Sequence, residues 1–118
     1  MKNNSSLIKL SVEQLENKNQ FVIWLKDKDN NNIVAFQSYK TLIAVYYEGS
    51  YEEKRPNILE VNWSMWDYSK TTLKHLKLFV NKYTTFHYEN KHQFGQEIRS
   101  NKDILVFDVW ERKNKTNC

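Results

Sequence analysis

Residues 63–80 read WSMWDYSKTTLKHLKLFV, and this stretch decides the fold. From residue 70 onward, apolar side chains recur at intervals of three and four, the spacing of an amphipathic helix with one face on a sheet. These side chains are Leu73, Leu76, Phe79, Val80 and Tyr83. The pattern predicts a helix from about residue 70 to residue 83. Ser69, or Asp67 just before it, is the expected N-cap.

Apolar runs rich in β-branched and aromatic residues predict strands on both sides of this helix. The runs are Phe21–Leu25, Ile33–Phe36, Thr41–Tyr47, Ile58–Trp63 and Ile104–Trp110. A second, short helix is predicted at about residues 90–100. The order of strands, helices and a final strand predicts an α+β fold, with a mostly antiparallel sheet of about five strands packed against one main helix and one or two short helices.

The chain is expected to form a single domain over residues 1–118, because this length suits one modest core. Residues 1–19 form an N-terminal extension in which four residues have the spacing of a capping box with a hydrophobic staple. They are Leu10, Ser11, Gln14 and Leu15. This spacing predicts a short helix that starts after Ser11 and ends by Asn19. Residues 111–118 are predicted to be a flexible tail.

The composition excludes several classes of protein. Aromatic residues make up 14% of the chain, which is too many for a disordered protein. No run approaches the roughly 18 apolar residues of a membrane span, so we expect a cytoplasmic protein without a membrane partner. The single cysteine, Cys118, excludes an internal disulfide. The abundance of lysine and asparagine indicates an AT-rich genome, of a bacterium or its phage.

Positive charge is concentrated in the second part of the chain. Residues 1–68 carry eight Lys and Arg against nine Asp and Glu, whereas residues 69–118 carry ten against five. Lys70, Lys74 and Lys77 are spaced to form one ridge along the predicted helix, without a carboxylate nearby in sequence to pair with them. The ridge is either a site for an anionic partner or a solvated face, and the sequence leaves both interpretations open.

The aromatic residues before the helix have two interpretations as well. Trp63, Trp66 and Tyr68 form either a stacking platform beside the lysine ridge or part of the core. Three large rings within six residues cannot all point inward, so we expect Trp66 to be exposed and Trp63 to be buried. The candidate binding residues, for a protein partner or for nucleic acid, are Trp66, Tyr68, Lys70, Lys74, His75 and Lys77.

No motif for catalysis, cofactor binding or metal binding stands out. His87 and His92 are five residues apart, which does not match the spacing of a helical zinc pair, so we predict no metal site. The chain has too few glycines for a phosphate-binding loop, and we expect no cofactor. A metal-free ribonuclease that uses His75, Lys74 and His87 is conceivable, but the sequence does not bring these residues together.

Two segments of the sequence carry a resemblance to a known group of proteins. FQSYKTLIAVYYEG at residues 36–49 and WDYSKTTLKHLKLFV at residues 66–80 resemble small phage and plasmid proteins of low-GC Gram-positive bacteria that share a domain of unknown function. In that group a SYxTxIA strand precedes a WDYSxTTxKHLxxF helix start. The matching residues are Ser38, Tyr39, Thr41, Ile43, Ala44, Trp66, Asp67, Tyr68, Ser69, Thr71, Thr72, Lys74, His75, Leu76 and Phe79. The resemblance supplies no catalytic residues.

What the resemblance implies is a biological setting. Small accessory proteins of mobile elements often bind and disable a host machine, so we expect a non-enzymatic inhibitor in the host cytoplasm. Its partner would be a host protein or a ribonucleoprotein, with a CRISPR nuclease as one candidate. The alternative is a nucleic-acid-binding regulator that contacts phosphates through the lysine ridge and stacks a base on Trp66. A ribonuclease is the third hypothesis.

Overall fold

The computed structural model describes residues 7–15 and 18–107. In chain order, the elements are β1 (Ile8–Gln14), β2 (Gln20–Lys26), β3 (Asn32–Ser38), β4 (Thr41–Tyr47), β5 (Ile58–Asn62), α1 (Lys70–Tyr83), α2 (Lys91–Ser100) and β6 (Ile104–Phe107). The strands of the described part form one six-stranded sheet in chain order. The predicted α+β class is confirmed, with six strands where about five were expected.

Most of the sheet is antiparallel, and its last pair is parallel. Each of the first four strands pairs antiparallel with the next, whereas β5 and β6 run in the same direction. Parallel neighbours need a long crossover connection, and both helices lie within this one. The helices bury their apolar sides against the sheet, where the ring of Phe79 stacks on that of Phe36 with the centroids 5.7 Å apart.

The predicted bounds of the main helix are confirmed. Ser69 is the N-cap of α1, and its Oγ accepts a hydrogen bond of 3.1 Å from the backbone N–H of Thr72. At the other end, the hydroxyl of Thr84 donates to the carbonyl of Val80 at 2.7 Å. These bonds satisfy polar groups that a helix terminus leaves open. The second predicted helix is confirmed as α2, capped by Asn90.

The predicted short helix after Ser11 is wrong, because β1 occupies this segment as an edge strand. Residues 8–14 pair antiparallel with β2, and Glu13 accepts a 3.0 Å hydrogen bond from the hydroxyl of Tyr83 in α1. Apolar and polar residues alternate from Ile8 to Glu13, which is a strand pattern. The sheet offers unpaired backbone groups at this edge, and pairing with them outweighs the local capping signal.

The face of the sheet opposite to the helices is apolar at its centre. Ile33, Ala35 and Val45 are buried there among other strand residues and Leu7. No residue of α1 or α2 belongs to this cluster in the part of the chain that the structure describes. Neither of the described helices is long and apolar enough to cross a membrane. The predicted flexible tail, residues 111–118, lies outside the described residues, as does the end of the predicted last strand.

Candidate functional site

The turn at residues 63–69, between β5 and α1, positions the candidate site. Asn62 holds this turn: its side-chain Oδ1 accepts from the backbone N–H of Met65 at 3.2 Å, and its Nδ2 donates to the carbonyl of Leu42 at 2.9 Å. The backbone N–H of Trp66 also donates to the carbonyl of Asn62, at 2.9 Å. Residues of this single turn line two different pockets.

The expected exposures of the two tryptophans in this turn are reversed. Trp66 was expected at the surface but is 5% exposed, with its ring edge-on to Phe94 of α2 at 5.4 Å. Trp63 was expected in the core but is 44% exposed. The reason is a tertiary contact: the turn directs the Trp66 side chain under α2, where it packs against Phe94. Trp66 is therefore a core residue and is not accessible for the stacking role predicted for it.

The first pocket, which we name the hydroxyl pocket, is a cavity of about 420 Å³ beside the start of α1. Its lining residues are Ser38, Tyr39, Thr41, Ile43, Met65, Tyr68, Ser69, Thr71 and Thr72. Seven of the nine carry a hydroxyl group, Ile43 and Met65 are apolar, and none is an Asp, Glu, Lys, Arg or His residue. Such a lining favours binding through hydrogen bonds and apolar contact.

Hydrogen bonds between hydroxyl groups fix the wall of this pocket. The Oγ of Ser38 lies 3.2 Å from the Oγ1 of Thr72, and the Oγ of Ser69 donates to the same Oγ1 at 3.1 Å. Ser38 and Thr72 are buried, so the end of β3 is tied to the first turn of α1. Gln20 lies opposite Ser38 in the sheet, fully buried, and its side-chain amide has no hydrogen-bond partner in the described part of the chain.

Two exposed tyrosines line the rim of the hydroxyl pocket. Tyr68 is 73% exposed and Tyr39 is 54% exposed. Tyr39 lies in the two-residue turn between β3 and β4 with φ 56°, a left-handed conformation that aromatic residues rarely adopt. Its backbone N–H donates to the carbonyl of Asn19 at 2.6 Å, which holds the turn against the start of β2. Backbone strain of this kind concentrates at functional sites.

The other predicted binding residues lie along α1. Lys70 and Lys74 are exposed and Lys77 is half-buried, so the predicted ridge lies on the side of α1 away from its buried residues. His75 was predicted as a binding residue but is only 2% exposed. Its Nδ1 lies 2.9 Å from the carbonyl of Thr71, and its Nε2 is buried without a hydrogen-bond partner in the described residues. His75 is therefore part of the core.

The second pocket, which we name the cationic pocket, lies on the other side of the turn, against α2. It is an open cavity of about 530 Å³ lined by Trp63, Trp66, Asp67, Lys91, His92, Gly95 and Arg99. The carboxylate of Asp67 pairs with the ammonium group of Lys91 at 3.7 Å. Next to this cavity, Tyr88 stacks on Phe94 with centroids 4.1 Å apart, and burial raises the pKa of its hydroxyl.

The histidines of the predicted ribonuclease trio lie in different environments. His87 is an exposed residue whose Nε2 lies 3.5 Å from a carboxylate oxygen of Glu89, while His75 is enclosed in the core. The ribonuclease trio of His75, Lys74 and His87 is therefore not presented on one accessible surface. Across residues 7–15 and 18–107, no group of three or more His, Cys, Asp or Glu residues is arranged to hold a metal ion.

The two sequence segments that carry the resemblance meet in the hydroxyl pocket. Eight of its lining residues come from them, and the ninth is Met65. A protein-family model, described as a family of unknown function (DUF8033), matches residues 9–96. The chain belongs to DUF8033. All residues of the hydroxyl pocket lie within the matched DUF8033 region, whereas Arg99 of the cationic pocket lies beyond it. No curated protein and no solved structure matches the chain.

Sequence reasoning did not select most residues of the hydroxyl pocket as site candidates. It selected Tyr68, but not Ser38, Tyr39 or Thr41 from the other segment. The available signal was the resemblance itself, because its two separate segments imply a shared surface. The exposed indole of Trp63 was missed because its environment depends on where α2 packs.

Proposed function

We propose that this protein is a non-enzymatic accessory protein that binds and inhibits a host macromolecular machine, with the hydroxyl pocket and its rim as the contact surface. The observation that carries the proposal is the pair of exposed tyrosines, Tyr39 and Tyr68, around a pocket of hydroxyl and apolar groups. Tyrosine is enriched among the residues that dominate protein–protein binding energy, since its ring packs while its hydroxyl forms hydrogen bonds.

The rigidity of the surface supports this function. Both rim tyrosines are attached to a fixed framework: Tyr68 precedes the capped first turn of α1, and Tyr39 lies in a short turn bonded to Asn19. The bonds from Thr72 to Ser38 and Ser69 join these two parts beneath the rim. A surface held in its binding geometry loses little conformational entropy on association, which favours affinity.

The resemblance to small phage and plasmid proteins supports the choice of partner. The proposed partner is a host protein or ribonucleoprotein in the host cytoplasm, and a CRISPR effector nuclease is the first candidate to test. The choice of partner rests on analogy with small accessory proteins of mobile elements.

A nucleic-acid-binding regulator is the second candidate function, and the lysine ridge favours it. Lys70 and Lys74 are exposed near Tyr68, which replaces the buried Trp66 as the aromatic residue available for stacking. The two functions differ in their response to salt. Binding through the ridge would weaken steeply as salt rises, whereas binding through an uncharged pocket would respond weakly.

The test is affinity capture from host lysate with and without nuclease treatment, using the wild type and two tyrosine variants. Tyr68→Ala removes a rim residue of the hydroxyl pocket. Tyr51→Ala is the matched control, because Tyr51 is 99% exposed and lines no part of that pocket. Both side chains are largely exposed, so both variants should keep the fold. The captured partner is then assayed for its own activity with each variant added.

The expected result is a stoichiometric protein partner that survives nuclease treatment, is lost with Tyr68→Ala and is retained with Tyr51→Ala. Wild type and Tyr51→Ala should inhibit that partner, and Tyr68→Ala should not. Equal capture by both variants would rule out the hydroxyl pocket as the contact surface. Capture that disappears on nuclease treatment would support the second candidate instead.

A further inference from the structure

The cationic pocket combines an exposed indole with unbalanced positive charge. Trp63 is 44% exposed and makes no ring–ring contact in the described part of the chain. The Asp67 carboxylate pairs with Lys91, so the negative charge in the pocket is already balanced locally. Arg99 adds a further positive charge, and its guanidinium has no hydrogen bond or ion pair among residues 7–15 and 18–107. An anion entering this pocket would meet an available guanidinium.

A glycine inside α2 keeps the pocket open. Gly95 is well inside the helix, where glycine is the least favourable residue apart from proline. Packing around the helix does not require its small size: apart from the neighbouring residues and the backbone of α2 itself, a Cβ built there would come no nearer than 3.8 Å to another atom, and the nearest atoms belong to the Arg99 guanidinium. The absence of a side chain at Gly95 therefore enlarges the cationic pocket, which Gly95 lines.

We propose that the cationic pocket binds a nucleotide unit, with the phosphate held by Arg99 and the base stacked on Trp63. Guanidinium groups recognise phosphate oxygens through paired hydrogen bonds, and indole rings stack on bases of any sequence. The volume of about 530 Å³ is within the range of small-molecule sites. The nucleotide unit is either a free nucleotide or one unit of a single strand, since both present the same chemistry.

This inference is independent of the proposed function, because it concerns other residues on the other side of the 63–69 turn. The two sites also differ in what they require. The hydroxyl pocket offers no cation to a phosphate, whereas the cationic pocket depends on one.

The test is calorimetric titration of the full chain with three probes: inorganic phosphate, AMP and a single-stranded oligonucleotide of about ten nucleotides. Arg99→Gln removes the charge, and Gly95→Leu fills the cavity with a good helix former. Lys102→Gln is the matched control, because Lys102 is an exposed cation outside the cationic pocket. Circular dichroism and thermal melting verify that each variant is folded.

Arg99→Gln and Gly95→Leu should each weaken nucleotide binding by about tenfold or more, and Lys102→Gln should change it less than about twofold. Equal affinity for AMP and for the oligonucleotide would identify a free nucleotide as the source, and binding of the oligonucleotide alone would identify a single strand. Phosphate without a base should bind more weakly than either. The proposal is overturned if neither nucleotide probe binds saturably, or if a folded Arg99→Gln variant behaves like Lys102→Gln.

Discussion

The hydroxyl pocket and the cationic pocket are both lined by residues of the same turn, yet the first is uncharged and the second is charged. Met65, Tyr68 and Ser69 face the first, and Trp63 and Asp67 line the second. The first is lined by hydroxyl and apolar groups, while the second carries charges of both signs with a positive excess. A single short connection can therefore line two surfaces, and a sequence segment that looks like one basic aromatic patch contributes to two separate pockets.

The largest expected effect separates the two tryptophans of the turn. Trp66→Ala should lower the free energy of unfolding by about 3–5 kcal/mol, because it removes a buried ring that packs on Phe94. Trp63→Ala should cost less, about 1 kcal/mol, since Trp63 is 44% exposed whereas Trp66 is 5% exposed. Urea denaturation of both variants measures the difference. Equal losses would mean that the turn does not distribute its rings between core and surface in this way.

A smaller effect is expected for the hydroxyl network behind the first pocket. Thr72→Val keeps the shape of the side chain but removes its bonds to Ser38 and Ser69, and should lower the free energy of unfolding by about 1–3 kcal/mol. Thr71→Val is the matched control in the same helical turn, and it should change stability by about 0.5 kcal/mol or less. If both variants unfold at the same urea concentration, the network does not stabilise this region.

The smallest effect is expected in the cationic pocket, and its sign is opposite. Gly95→Ala should raise the free energy of unfolding by about 0.5–1 kcal/mol, because alanine is the better helix residue and its methyl group meets no atom outside its chain neighbours and the α2 backbone nearer than 3.8 Å. Thermal unfolding followed by circular dichroism measures this gain. A lower melting temperature would show that Gly95 is needed by the fold itself and does not serve to keep the pocket open.

Much of the fold was predictable because its signals are local. The bounds of α1 follow from apolar spacing and the Ser69 cap, and the runs at residues 21–25, 33–36 and 41–47 all lie within strands. β1 was missed because Leu10, Ser11 and Gln14 satisfy a capping pattern and a strand pattern at once. Pairing with β2 decides in favour of the strand, and the local sequence pattern does not report this pairing.

The candidate site was harder to predict because it depends on contacts between distant segments. The hydroxyl pocket forms where the turn at Tyr39 contacts the start of α1, and the residue spacing within either segment does not predict that contact. The exposures of Trp63 and Trp66 depend on the position of α2. Tyr68, Lys70 and Lys74 lie on or beside one helix and are exposed, whereas Lys77 of the same ridge is half-buried.

The most direct test of the central claim is the affinity of the captured, purified partner at about 50 mM and about 200 mM salt, measured by calorimetry. Tyr68→Ala is compared with a triple variant in which Lys70, Lys74 and Lys77 are each replaced by Gln. Binding through the hydroxyl pocket predicts a loss of about 30-fold for Tyr68→Ala, equivalent to about 2 kcal/mol, with a small effect of the triple variant and of salt. A large loss in the triple variant with a steep salt dependence, and none in Tyr68→Ala, would contradict the claim.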